Sequence, residues 1–309
     1  MTQNINFAFS IGYIAGLENK LISKYNLNKL KKCETVEEFF SKLKTLKYKE
    51  INFKDYETFE VKINENFEKT IEELKEICPE KEEFEYIFCK NNFLKFKIFL
   101  KHKFSNIALN NLTAKPFSIN PDEIEICLKN NSFESINKIY RKSFEKILEE
   151  FKKTENKKQA EILIDKEMYN VLLKISEKNI FLKKLTQLEI TLKNINFAIR
   201  FLKNQNNIKC LGEYLLENEN NKEEILNFAK KGFDELCKIF GKFKVKDTNL
   251  KLKQNFNSLE EICENILKEF KKRQTEYFFS FNNILIFIEK LKKENEILKE
   301  TLLKIQFKN

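Results

Sequence analysis

The sequence predicts an all-α fold made of three related helical bundle units, and three observations carry that expectation. Breakers are scarce: the 309 residues include 5 Gly and 3 Pro, whereas a turn-rich or Gly-rich nucleotide-binding fold needs many more of both. Leu188, Leu192, Ile195, Ile199 and Leu202 step by four, three, four and three, which lays them along one stripe of a helix. The stripe also recurs. Upstream, Cys89, Phe93, Phe96 and Leu100 overlie Leu188, Leu192, Ile195 and Ile199 without a gap, and Lys101 overlies Arg200. A third helix, from about Phe281 to Lys304, begins on the same spacing with Phe281, Leu285 and Ile288 before Lys292 takes the next stripe position.

Taken in order, a first helix is expected from about Asn4 to Tyr25. Thr35 and Glu38 stand at capping-box spacing and open a short helix to about Lys47. A polar connection through Asp55 leads to a long helix, about Glu57 to Ile77, which Pro79 terminates. The helix containing Asn91–Lys101 closes the first unit. The segment Asn111–Ile124 is the clearest boundary, with Asn120 as cap, Pro121 at the first helical position, and Asp122 and Glu123 in the first turn. The second unit then repeats the plan, with a short helix to Lys129 and long ones over Ser132–Lys153 and Lys157–Lys178 before the striped helix. After the polar break Gln205–Lys209 come helices over Leu211–Glu217 and Asn221–Phe240, then a looser stretch, Gly241–Asn257. Another helix, opened by a Ser258–Glu261 capping box, precedes the terminal one. The resulting units are 1–115, 116–206 and 207–309. Their period near a hundred residues exceeds that of solenoid repeats.

Charge and cysteines exclude several functions. The formal net charge is +10, but 57 basic residues are interleaved with 47 acidic ones, as solvated helix faces require. The aromatics follow the apolar stripe, without the clustered basic and aromatic footprint of nucleic-acid binding. The 7 Cys never approach CxxC spacing and read as reduced, partly buried thiols of a cytosolic protein. The uncharged start, residues 1–17, lacks a basic leader region and is followed by Glu18 and Lys20, so it reads as a packed helix. The densest apolar patch, Ile284–Ile288, falls far short of the roughly 20 residues of a membrane span. His102 is the single histidine and lies among lysines, as an exposed or helix-terminal residue does. With no P-loop, no dinucleotide fingerprint and no paired Cys or His, the sequence assigns no catalytic residue, metal or cofactor. Asn194 and Asn196 flank the stripe, either solvated or locally bonded, or engaged in interhelical hydrogen bonds or a partner contact. Arg200 has two possible tasks, to complement its helix C-terminus or to form an ion pair between units.

Four motifs resemble the C subunit of the V-type and A-type rotary ATPases (ATP synthases), called the d subunit in eukaryotes. Asn92–Lys101 is similar to the family's D-Y-H-N-L-K-x-L-L-K and keeps Lys97, Leu100 and Lys101. Leu192, Asn194, Ile195 and Arg200 match D-L-x-N-I-x-x-x-L-R, with Thr191 in place of Asp and Ile199 in place of Leu. Lys293, Glu294 and Glu296 match the closing K-E-x-E-I, and Glu18–Ser23 resembles E-x-x-L-L. The resemblance implies a pseudo-threefold, funnel-like helical bundle. It implies a non-catalytic role at the cytoplasmic face, peripheral to the membrane, linking the central-stalk subunits to the membrane rotor ring and passing torque between ATP turnover and ion transport. It implies no small-molecule substrate, no cofactor and no nucleic acid. The competing reading is a free-standing helical scaffold or nucleic-acid-binding module with a basic surface.

Overall fold

In a computed structural model of the protein, residues 2–47, 55–105, 117–153, 157–204, 207–217, 221–246, 248–273 and 280–307 are described. Among them the regular elements are α-helices and short 3-10 turns, with no strand. The all-α expectation therefore holds.

Helix α1 (Thr2–Glu18) ends earlier than expected, and α2 (Lys24–Leu30) is a separate element. The amides of Lys20 and Leu21 fold back on the carbonyls of Leu17 and Glu18, and Ser23 starts afresh as an N-cap, accepting from the Asn26 amide. Helix α3 (Val36–Leu46) is capped by Thr35, which accepts from the Glu38 amide; Glu38 reaches back to the amide of Glu34. Asp55 and Thr58 form the capping box of α4 (Tyr56–Ile77), whose buried line is Phe59, Ile63, Phe67, Ile71 and Leu74. Next come α5 (Phe84–Ser105) and α6 (Pro121–Asn130), the latter with Asn120 and Pro121 in their expected capping positions.

Helix α7 (Lys138–Lys153) starts six residues later than the polarity pattern indicates. Asn131 takes the left-handed conformation at φ 53, which an Asn tolerates, and the Ser132 amide returns to the Cys127 carbonyl. Phe133 and Ile136 bury themselves across the resulting turn. Helices α8 (Lys157–Ile175) and α9 (Ile180–Lys203) are separated at Asn179, whose side chain caps α9 through the Leu182 amide. After the short α10 (Leu211–Tyr214), the single helix expected over Asn221–Phe240 is instead α11 (Lys222–Lys230), α12 (Phe233–Cys237) and a 3-10 turn. Gly232, at φ 108, makes the break in a conformation closed to side chains. The stretch expected to be loose contains α13 (Thr248–Gln254). In α14 (Ser258–Arg273) Ser258 is the first helical residue, and its hydroxyl donates to the Asn255 carbonyl at 2.6 Å in place of the expected capping box. The last helix is α15 (Phe281–Gln306).

The chain divides into two compact units, Met1–Ile87 with Tyr277–Asn309, and Phe88–Glu276. In the first, α15 packs against α1, α2, α3 and α4. Its buried line avoids exposed Lys292 and runs through Ile288, Leu291, Asn295, Leu298, Leu302 and Ile305. The seam thus continues past Lys292, one residue to the N-terminal side. Leu298, Leu302 and Ile305 meet Phe39, Phe40 and Phe59 in one core. In the second unit, Phe93 and Phe96 of α5 meet Phe133, Tyr140 and Phe144, with Phe96 and Phe144 stacked at 3.9 Å. Helix α9 packs against α8, α11, α12 and α14, and its stripe from Leu188 to Leu202 lies in a second apolar core. All seven cysteines are free, and burial pushes the thiols of Cys78, Cys237 and Cys263 up to about 11. Those thiols hold almost no thiolate at neutral pH.

Candidate functional site

The motif residues fall into two groups, those that build the buried seams and those that hold polar contacts beside them. Leu100, Leu192 and Ile195 are buried core side chains. The polar members lie off the stripe on the same helices; some of them turn toward a neighbouring segment and others, such as Lys293 and Glu296, toward solvent.

Glu294 is the most informative of them. It lies on α15 with a side chain 4 % exposed, and the backbone amide of Ile22 donates to its Oε2 at 2.5 Å. Lys47, at the end of α3, donates to Oε1 at 2.7 Å. A buried carboxylate is costly unless paired and hydrogen-bonded, and here both oxygens are served. The contact joins two motifs from opposite ends of the sequence, because Ile22 belongs to the Glu18–Ser23 segment. It also accounts for the break between α1 and α2: an uninterrupted helix would commit the Ile22 amide to its own i−4 carbonyl.

Asn194 does the equivalent work on α9. Its amide is buried, donates to the Leu216 carbonyl at 3.0 Å and accepts from the Leu216 amide at 2.8 Å. Both backbone polar groups of one residue, Leu216, are satisfied by one side chain. Asn196 and Arg200 lie beside it on a half-exposed surface. Arg200 donates to Asn196 Oδ1 at 2.7 Å and to Glu260 of α14 at 2.6 Å. Arg200 thus forms an ion pair with α14 and also lies in the last turn of α9, where a cation complements the helix C-terminus.

On α5, Lys97 and Lys101 converge on one carboxylate of α8, Glu161, at 3.1 and 2.6 Å. The hydrogen bond from Lys101 holds the Glu161 carboxyl below the usual carboxylate range. Lys101 and Arg200, overlaid in the sequence, thus both pair with a Glu of a following helix. Lys293 and Glu296 pair with each other at 3.6 Å on the exposed side of α15, away from Glu294.

Asn92 opens the first motif segment without being one of its matched positions, yet it belongs in this set. It is fully buried on α5, donates to Ser118 Oγ at 2.9 Å and accepts from the amides of Ser118 and Ile119 at 3.2 and 3.4 Å. The available signal is an amide one residue from Phe93, at the edge of the apolar stripe. Lys47, Glu161 and Leu216 carry no signal, since each is defined only by what folds against it. His102 is exposed in the last turn of α5.

The family model for the ATP synthase (C/AC39) subunit matches residues 11–299. The chain belongs to that family. No curated protein matches the sequence significantly. The C/AC39 match contains all four motif segments, from Glu18–Ser23 to Lys293–Ile297. Membership makes the chain a subunit of an ATPase complex. Among the described residues no helix is long and apolar enough to cross a membrane.

Proposed function

We propose that this C/AC39 chain is the non-catalytic central-stalk subunit of a rotary V/A-type ATPase. It connects the central shaft to the membrane rotor ring at the cytoplasmic face and transmits torque between ATP turnover and ion transport. The observation that carries the reading is the family match over residues 11–299. A torque link must resist deformation, and close-packed interiors have low compressibility. The polar contacts support it further, because Glu294, Asn194 and Asn92 each clamp the backbone of a connecting segment to a long helix.

The division into three related units, 1–115, 116–206 and 207–309, belongs to the same proposal, as does their pseudo-threefold, funnel-like arrangement. Each unit supplies one clamping side chain, Asn92 from the first, Asn194 from the second and Glu294 from the third, and each of these holds backbone that belongs to another of the three. Leu100, Leu192 and Ile195 are buried, so in this reading they build the spines. Lys293, Glu296 and Arg200 are motif residues exposed enough to meet another subunit.

Deletion of the gene tests the proposal. ATP hydrolysis by the soluble head should persist while ATP-driven ion pumping is lost, and shaft and ring subunits should co-purify with the intact protein. Coupled pumping that survives deletion rejects the assignment.

A further inference from the structure

A cavity of about 950 Å³ opens in the unit formed by Met1–Ile87 and Tyr277–Asn309, beside the Glu294 clamp. Its walls are the turn between α1 and α2, the end of α3, the middle of α4 and two residues of α15, Phe287 and Leu291. Leu17, Leu21 and Leu46 complete an apolar lining with those two. Around that lining stand Lys20, Lys47 and Lys69 against a single carboxylate, Glu73.

The cations differ in how far they are engaged. Lys47 is held by Glu294 at 2.7 Å. Glu73 accepts the Tyr13 hydroxyl at 2.7 Å, and Lys69 lies 4.0 Å from it with its side chain largely in solvent. Lys20 is exposed and has no ion-pair partner among the described residues. By contrast, the smaller cleft beside Asn194 has Lys193 and Arg200 balanced by Asp165 and Glu260, each cation already paired. Of the two, the larger cavity combines an apolar lining with a cation left over after pairing, Lys20, and a second, Lys69, that is only loosely paired.

The geometry points to this cavity as the seat of an acidic, amphipathic helical segment from another protein of the complex. Carboxylates on the rim of that helix would pair with Lys20 and Lys69, and its apolar stripe would cover Leu17, Leu21 and Leu46, above the buried floor of Phe287 and Leu291. A helix is favoured over an extended peptide for a physical reason. The described elements that wall the cavity are helices and turns with no strand edge to extend, so a strand would leave its backbone groups unpaired, whereas a helix satisfies its own. The volume lies at the upper end of the range for small-molecule pockets and admits several side chains. The inference rests on the chain being a subunit of a larger assembly.

The test places a photo-crosslinking amino acid at Asn66, on the α4 wall, in the intact complex. An adduct on an acidic amphipathic helix of a neighbouring subunit is the expected result. An adduct on lipid, on a basic segment or only within this chain overturns the inference, as does no adduct at all. Independently, Lys20→Glu with Lys69→Glu should weaken the association of that neighbour about tenfold at low salt, with the difference shrinking as salt rises. Unchanged affinity overturns the inference too. If the complex retains this chain and pumps normally while no adduct forms, the docking fails and the connector proposal stands; if deletion leaves pumping coupled, the connector proposal fails instead.

Discussion

Asn194 on α9 and Glu294 on α15 meet the same need with different chemistry. Both are buried beside an apolar seam and both fasten a connecting segment by its backbone. The amide is self-sufficient, since the backbone N–H and C=O of the single residue Leu216 supply both the donor and the acceptor that it requires. The carboxylate offers acceptors only, so after taking the Ile22 amide it still needs a cation, and Lys47 must come from a third element. The first clamp therefore joins two segments and the second joins three. A charged clamp also responds to salt and to loss of either partner, whereas a neutral one responds only to loss of shape or hydrogen bonding.

Substitutions can break or sharpen this contrast. The largest effect is expected for Asn194→Leu, which leaves both the amide and the carbonyl of Leu216 buried without partners, a loss of about 3 kcal/mol in urea unfolding. A loss under about 1 kcal/mol would show that water replaces the side chain and that the clamp is not structural. Glu294→Leu should come next, at about 2 kcal/mol, because it orphans the Ile22 amide while Lys47, 22 % exposed, still reaches solvent. Glu294→Gln separates charge from shape: the amide oxygen keeps Ile22 and the pairing with Lys47 is lost. It should cost about 1 kcal/mol and remove the salt sensitivity of the contact.

The smallest effect belongs to the half-exposed pairing on α8. Glu161→Gln should cost less than about 1 kcal/mol at neutral pH. The folded carboxyl sits below its ordinary value of 4.5, so its contribution is present above that value and fades as pH falls through the lowered one. Wild type and variant, followed by denaturation across pH, should therefore differ at pH 7 and converge in acid. A difference that grows on acidification contradicts the ion pair with Lys101 and Lys97.

Much of the architecture is legible in the residues. The stripe from Leu188 to Leu202 and its copy from Cys89 to Leu100 are packed inward as their period requires, and the caps at Thr35, Asn120 and Pro121 lie where their chemistry places them. The differences share one cause. A polarity pattern implies helix continuity at Ile22, Ser132 and Gly232, where a hydrogen bond to a distant partner or a left-handed turn interrupts a pattern that looks unbroken. The motifs name Glu294, Asn194 and Arg200, yet nothing local in the sequence distinguishes Glu294, which is buried, from Glu296, which reaches solvent.

By itself the sequence determined the helical class, the seams and the family, because helical period, scarce breakers and ordered motifs are properties of neighbours along the chain. Only the tertiary structure decided which polar residues became clamps and which stayed in water. That choice depends on donors brought from far away, such as the Ile22 amide carried to Glu294, and a linear pattern holds no record of such distances.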